Sequence, residues 1–284
     1  MKKGSLSTII LILILVAGLS LLLYPTVSDY WNSLHQSRAI AQYADEVAKL
    51  DTESYEQMWR DARRYNRGLI KTGGPHELSD EEREEYESLL NVSGNGIIGY
   101  IEIPMIECSL PIYHGTDEAV LQIAVGHIEG SSLPTGGVGT HCVLSGHRGL
   151  PSAKLFTNLD KLVEGDTFVL RILDETLTYE VDQIHIVLPH EIDDLQIDPK
   201  KDYCTLVTCT PYGINSHRLL VRGHRVENEE DAKNIRVTAD ASLVDPKIVA
   251  PFVAAPMLLI LLIVLLIAPA FRHRGRRRRG SSCL

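Results

Sequence analysis

A chain of 284 residues with 28 Lys and Arg against 37 Asp and Glu has a formal charge of −9, and is long enough for one substantial domain with accessory segments. The acidic balance disfavours nucleic acid or an anionic wall polymer as an electrostatic partner. Five cysteines without Cys-x-x-Cys spacing offer no metal framework.

Lys2 and Lys3 precede an almost unbroken apolar run at 6–23, about the length that crosses a bilayer as a helix. Leu23-Tyr24-Pro25 lacks a small-residue cleavage pattern, which predicts a retained anchor over 1–23. A second apolar run, taken as a span over 248–271, leads into a basic tail at 272–284 with Arg276 to Arg279. Cationic flanks stay inside, so both termini are expected in the cytoplasm and the middle outside. All 37 acidic residues lie between the spans with 20 Lys and Arg, a balance of about −17 for the segment placed outside.

Residues 24–94 read as a helical arm. Ile40, Tyr43, Ala44 and Val47 recur at helical spacing, as do Tyr55, Met58, Trp59, Ala62 and Leu69. Gly73-Gly74-Pro75 then breaks the pattern. Ser79 with Glu82 is a capping-box signature opening a short acidic helix towards Leu90.

From 95 to 228 the texture becomes short β runs between turn residues, at 99–104, 141–144, 167–172, 176–187, 203–208 and 218–225. Closely spaced strands with few helices between them predict a closed or nearly closed barrel. A linker at 229–247 completes the division of the chain.

Two of those runs carry chemistry. Thr205 to Cys209 and His217 to Gly223 flank a loop with Pro211, Gly213 and Asn215. Equal distance from that loop places Cys209 opposite Arg218 on antiparallel strands. A guanidinium beside a thiol favours the reactive thiolate and can hold a developing oxyanion. Among 11 histidines, His147 is preferred as the proton carrier because Gly146 and Gly149 leave its ring little steric cover; His127, His141, His217 and His224 remain alternatives. Cys204 and Cys209 lie on opposite strand faces and cannot bridge. With Cys209 as nucleophile, at most one disulfide forms among Cys108, Cys142 and Cys204.

The segments Gly139-Thr140-His141-Cys142-Val143-Leu144-Ser145-Gly146-His147-Arg148-Gly149-Leu150-Pro151 and Thr205-Leu206-Val207-Thr208-Cys209-Thr210-Pro211-Tyr212-Gly213-Ile214-Asn215-Ser216-His217-Arg218 closely resemble class C sortases. These are the pilin-polymerising cysteine transpeptidases of Gram-positive bacteria. The resemblance implies a mainly β fold, an eight-stranded sortase-type barrel with an N-terminal helical arm and two flanking transmembrane helices. It implies His147, Cys209 and Arg218 as the catalytic residues, no cofactor, and pilin subunits or LPxTG-bearing surface proteins as partners. One departure is visible: no Asp-Pro-aromatic lid motif precedes the barrel. By position, Gly74, Pro75 and His76 within 70–78 are expected as a lid of altered chemistry, with a plain linker as the other reading. Two rivals stand beside the pilin reading: a sortase that anchors surface proteins to peptidoglycan, and a non-catalytic membrane scaffold in which Cys209 is structural.

Overall fold

The computed structural model describes residues 3–228, so the linker, the second span and the basic tail anticipated above lie outside the described residues. The chain divides between Val27 and Ser28 into two compact units, and the barrel with its packed helices belongs to the second, Ser28–Arg236.

Helix α1 runs over Lys3–Val47. Its N-terminal part includes a stretch of mean hydropathy 2.5, none of it buried, long and apolar enough to cross a membrane. Further along, Tyr43 is fully buried. Its hydroxyl donates to the Ile98 carbonyl (2.8 Å) and accepts from the Leu173 amide (2.7 Å), tying α1 to two barrel segments.

Helix α2, Thr52–Leu69, starts at Asp51, whose carboxylate accepts from the Ser54 amide at 2.7 Å. It buries Trp59, Ala62, Asn66 and Leu69, a stripe three to four residues apart. Asn66 is polar but fully used: its amide donates to the Leu133 carbonyl and to Thr135 Oγ1 and accepts from the Leu133 amide, which removes the cost of burying it. Helix α3, Asp80–Ser88, opens with the anticipated reciprocal cap between Ser79 and Glu82.

Eight strands follow: β1 Ile97–Ile103, β2 Cys108–His114, β3 Val125–His127, β4 Thr140–Ser145, β5 Thr167–Ile172, β6 Glu175–Val187, β7 Asp202–Thr210 and β8 His217–Val226. They close in the order β1-β2-β3-β4-β7-β8-β6-β5, so no edge is left unpaired. The pairs β2/β3 and β4/β7 are parallel and the others antiparallel.

Alternate residues fill the barrel, among them Cys142 and Leu144 of β4, Cys204 and Leu206 of β7, and Leu219 and Val221 of β8. The opposite faces of the same three strands form a second, smaller apolar cluster. There Val143, Val207 and Leu220 are covered by Leu195, with Ile128 and Val187 at its margin. This outer layer matters because it lies on the face that carries Cys209.

Candidate active site

In the β7/β8 ladder Cys209 pairs with Arg218, the juxtaposition that equal spacing from the loop predicts. Paired residues in a ladder share a face, so both side chains project to the outside of the barrel with Val207 and Leu220. Cys209 is half-buried, and the Arg218 guanidinium donates to the carbonyls of Asn215 (3.3 Å) and His217 (3.1 Å).

On the other side of β7 lies β4. Its parallel register runs from Thr140 opposite Asp202 to Ser145 opposite Val207. Two hydrogen bonds extend it past the last ladder pair: the Gly146 amide donates to the Val207 carbonyl (3.0 Å), and Thr208 Oγ1 donates to the Gly146 carbonyl (2.8 Å). Carried two residues beyond Ser145, the register sets His147 level with Cys209. Cys209 and Arg218 thus sit on β7 and β8, and His147 follows two residues after the end of the neighbouring β4.

The loop after β4 is held by close packing. A Cβ on Gly146 would stand 2.7 Å from the Phe156 ring, and the Phe156 amide donates to the His147 carbonyl at 3.1 Å. Gly149 has φ +76°, where side-chain-bearing residues are strained, and its Cα faces the Tyr212 ring. Arg148 pairs with Asp160 and lies over the Tyr212 ring at 5.9 Å, which joins this loop to the turn between β7 and β8. Glu118, in the short helix α4 (Glu118–Leu121), approaches the ring of His147 at 3.8 Å, an ion pair when the imidazole is protonated.

Helix α1 adds contacts that sequence reasoning missed. Asn32 donates to the Ser152 carbonyl (2.9 Å), Asp29 accepts from the Lys154 amide (2.9 Å), and Gln36 donates to the Ile123 carbonyl (2.7 Å). All three fall on one face of α1 and hold the loop that follows His147 and the segment after α4. Polar residues on an apolar-flanked helix carry no signal that distinguishes such a grip from simple solvation.

The residues expected as a lid have defined partners. Gly74 packs on Gln196, the Gly73 carbonyl accepts from the Ile197 amide at 2.6 Å, and the backbone of His76 sits against Gly130. Gln196 in turn accepts from the ring of His141, near the start of β4, whereas His147 lies beyond that strand's end. The loop expected as a lid is thus seated on the 196–197 segment, next to the Leu195 that covers Val143, Val207 and Leu220.

The remaining described thiols are in different surroundings. Burial pushes Cys108 up to about 12 and Cys204 well above the ordinary thiol range, while Cys209 sits on the outer face. Of the alternative histidines, His127 is enclosed by Tyr86 and Ser132, and His141 by Gln196 and Thr205. Among the described residues no cluster of His, Cys, Asp and Glu suits a metal ion.

The protein-family model for the sortase domain matches residues 101–226. The chain superimposes on sortase C1 of Streptococcus agalactiae with a TM-score of 0.66 and 54% identity, covering 68% of this chain and all of that one. The chain belongs to the sortase family. Sortase C of Clostridium perfringens, solved with the C-terminal cell wall sorting motif, is similar at 44% identity and TM-score 0.60, covering 68% of this chain and all of that structure. Among curated relatives, Sortase D of Bacillus subtilis (strain 168) is 33% identical over 131 residues, 45% of this chain. That match spans 63% of the relative's own length. The structural neighbours of this sortase are class C enzymes, and its closed eight-stranded barrel with an N-terminal helix is the fold expected from the sequence.

Proposed function

We propose that this sortase is a membrane-anchored cysteine transpeptidase that cleaves an LPxTG-like sorting signal between Thr and Gly and joins the Thr carboxyl to a lysine amine of another pilin subunit. The observation that carries the reading is the pairing of Cys209 with Arg218 across β7 and β8, with His147 two residues past the end of the neighbouring β4.

In this mechanism the Cys209 thiolate attacks the Thr carbonyl carbon, and the carbonyl oxygen takes up negative charge beside the Arg218 guanidinium. As the tetrahedral intermediate collapses, the Thr–Gly C–N bond breaks and imidazolium His147 donates a proton to the departing glycine amine. The product is a Cys209 thioester, which retains enough acyl-transfer potential for the second half-reaction without a cofactor. A lysine amine then attacks the thioester, neutral His147 accepts its proton, and the Cys209 thiolate leaves from an isopeptide bond. The placement of Cys209 at the surface of the outer apolar layer suits a polypeptide substrate that approaches from outside the barrel.

The pilin assignment draws support from class C structural neighbours and from a neighbour solved with a sorting motif. The apolar part of α1 supports membrane anchoring. The test is incubation of the full-length enzyme in detergent with an LPxTG-type peptide, first alone and then with either a lysine-bearing pilin fragment or a peptidoglycan-type amine. The expected result is a thioester mass on Cys209 and an isopeptide product with the lysine donor. No adduct would sink the transpeptidase assignment, and exclusive use of the wall amine would replace pilin polymerisation by wall anchoring.

A further inference from the structure

Cys142 and Cys204 are direct partners in the parallel ladder between β4 and β7. Partners in a ladder project to the same side, and here that side is the barrel interior, where the two residues are 2% and 0% exposed. Both are free thiols in this structure. Adjacent strands run about 4.8 Å apart, inside the roughly 4.4–6.8 Å Cα separation that a disulfide tolerates. The other two described thiols are excluded by placement: Cys108 lies on β2, with its sulfur directed at the Leu155 carbonyl, and Cys209 is on the opposite face of β7.

We propose that Cys142 and Cys204 form a disulfide that staples β4 to β7 when the chain folds in the presence of a disulfide oxidant. The two thiols give up two protons and two electrons as the S–S bond forms, and the oxidant R–S–S–R accepts them to become two R–SH. Small-molecule disulfides and protein thiol–disulfide oxidoreductases both supply that oxidant on the outer side of a membrane. Exchange takes place before the barrel closes or during its local opening, since both sulfurs are enclosed afterwards.

The position of the staple gives it a role. Cys142 lies five residues before His147, and Cys204 five before Cys209. The bond would lock the parallel register that sets those two residues level. It would also remove two interior thiols from competition for partners, leaving Cys209 on the outer face to act alone.

The experiment uses the full-length chain carrying Cys209→Ala, in detergent, so that the readout involves neither activity nor the outer thiol. Samples equilibrated across ratios of reduced to oxidised glutathione are denatured in N-ethylmaleimide and mapped by mass spectrometry without reductant. The expected result is a linked peptide pair containing Cys142 and Cys204, two hydrogens lighter than the separate peptides, with Cys108 alkylated. The oxidised form should melt roughly 5–10 °C above the reduced form. In Cys142→Ala/Cys204→Ala that shift should vanish. Separate alkylation of Cys142 and Cys204 at every ratio, or linkage of either to Cys108, overturns the proposal.

Discussion

Thiol reactivity in this barrel follows the face of the strand. Cys209 shares its outer face with Arg218, while Cys204, on the same strand, looks into the core. Iodoacetamide is therefore expected to label Cys209 far faster than Cys108, whose thiol burial holds near 12. Comparable rates at Cys108 and Cys209 in time-resolved peptide mapping would remove the basis for treating Cys209 as the nucleophile. His147→Ala should lower kcat/KM for signal-peptide cleavage by about 10²–10⁴-fold. Arg218→Ala should cost about 10²–10³-fold if the guanidinium carries oxyanion charge. A loss under threefold in the cleavage assay at either position would contradict its assigned role. The opposition of Cys209 and Arg218 was legible because a hairpin converts equal spacing into pairing. The level placement of His147 was not, since β4 and β7 are far apart in sequence and parallel registers have no turn to set them.

At the scale of elements, the helices were readable from apolar spacing and caps, and most strands from their β-rich runs. The strands β2 and β3 escaped notice for identifiable reasons. Pro111 sits inside β2, where a missing amide argues against a strand, and β3 has three residues, too few to show alternation. The join between α1 and the barrel was also invisible. Tyr43 fitted a helical stripe, yet its hydroxyl bridges Ile98 and Leu173. Tyr43→Phe should lower unfolding stability by about 1–3 kcal/mol, because it strips two buried backbone groups of a partner. Chemical denaturation with an unchanged midpoint would show that bridge to be dispensable. The grip of Asp29 and Asn32 on residues 152–154 predicts a different effect. Asp29→Ala/Asn32→Ala should reduce peptide cleavage severalfold with little change in melting temperature, by loosening the loop that begins at His147. An unaltered cleavage rate would leave these contacts a packing role only.

Across the whole molecule, the closed barrel was foreseeable from strand density and turn spacing, but the strand order that juxtaposes β4, β7 and β8 required the fold. The layer outside those strands is secured in part by His141, whose ring meets the Gln196 carbonyl and Thr205 Oγ1. Burial lowers the affinity of this imidazole for a proton. The unfolded chain therefore takes up a proton first as pH falls below the ordinary imidazole value near 6.5, and folding stability drops with it. Melting temperature should decline between about pH 7 and pH 5 in the native protein and decline less in His141→Gln. Equal declines measured by calorimetry would assign the acid sensitivity to other groups.

The parallel alignment of β4 with β7 also governs when this protein becomes competent. No short hairpin joins those strands, so the imidazole and the sulfur are brought together only once β7 has docked on β4 across the intervening β5, β6 and their connections in sequence. Contacts so distant along the chain form late in folding. On the proposed mechanism, a nascent or half-folded copy thus carries a thiol without its proton donor, and the transferase stays dormant until those two strands have met.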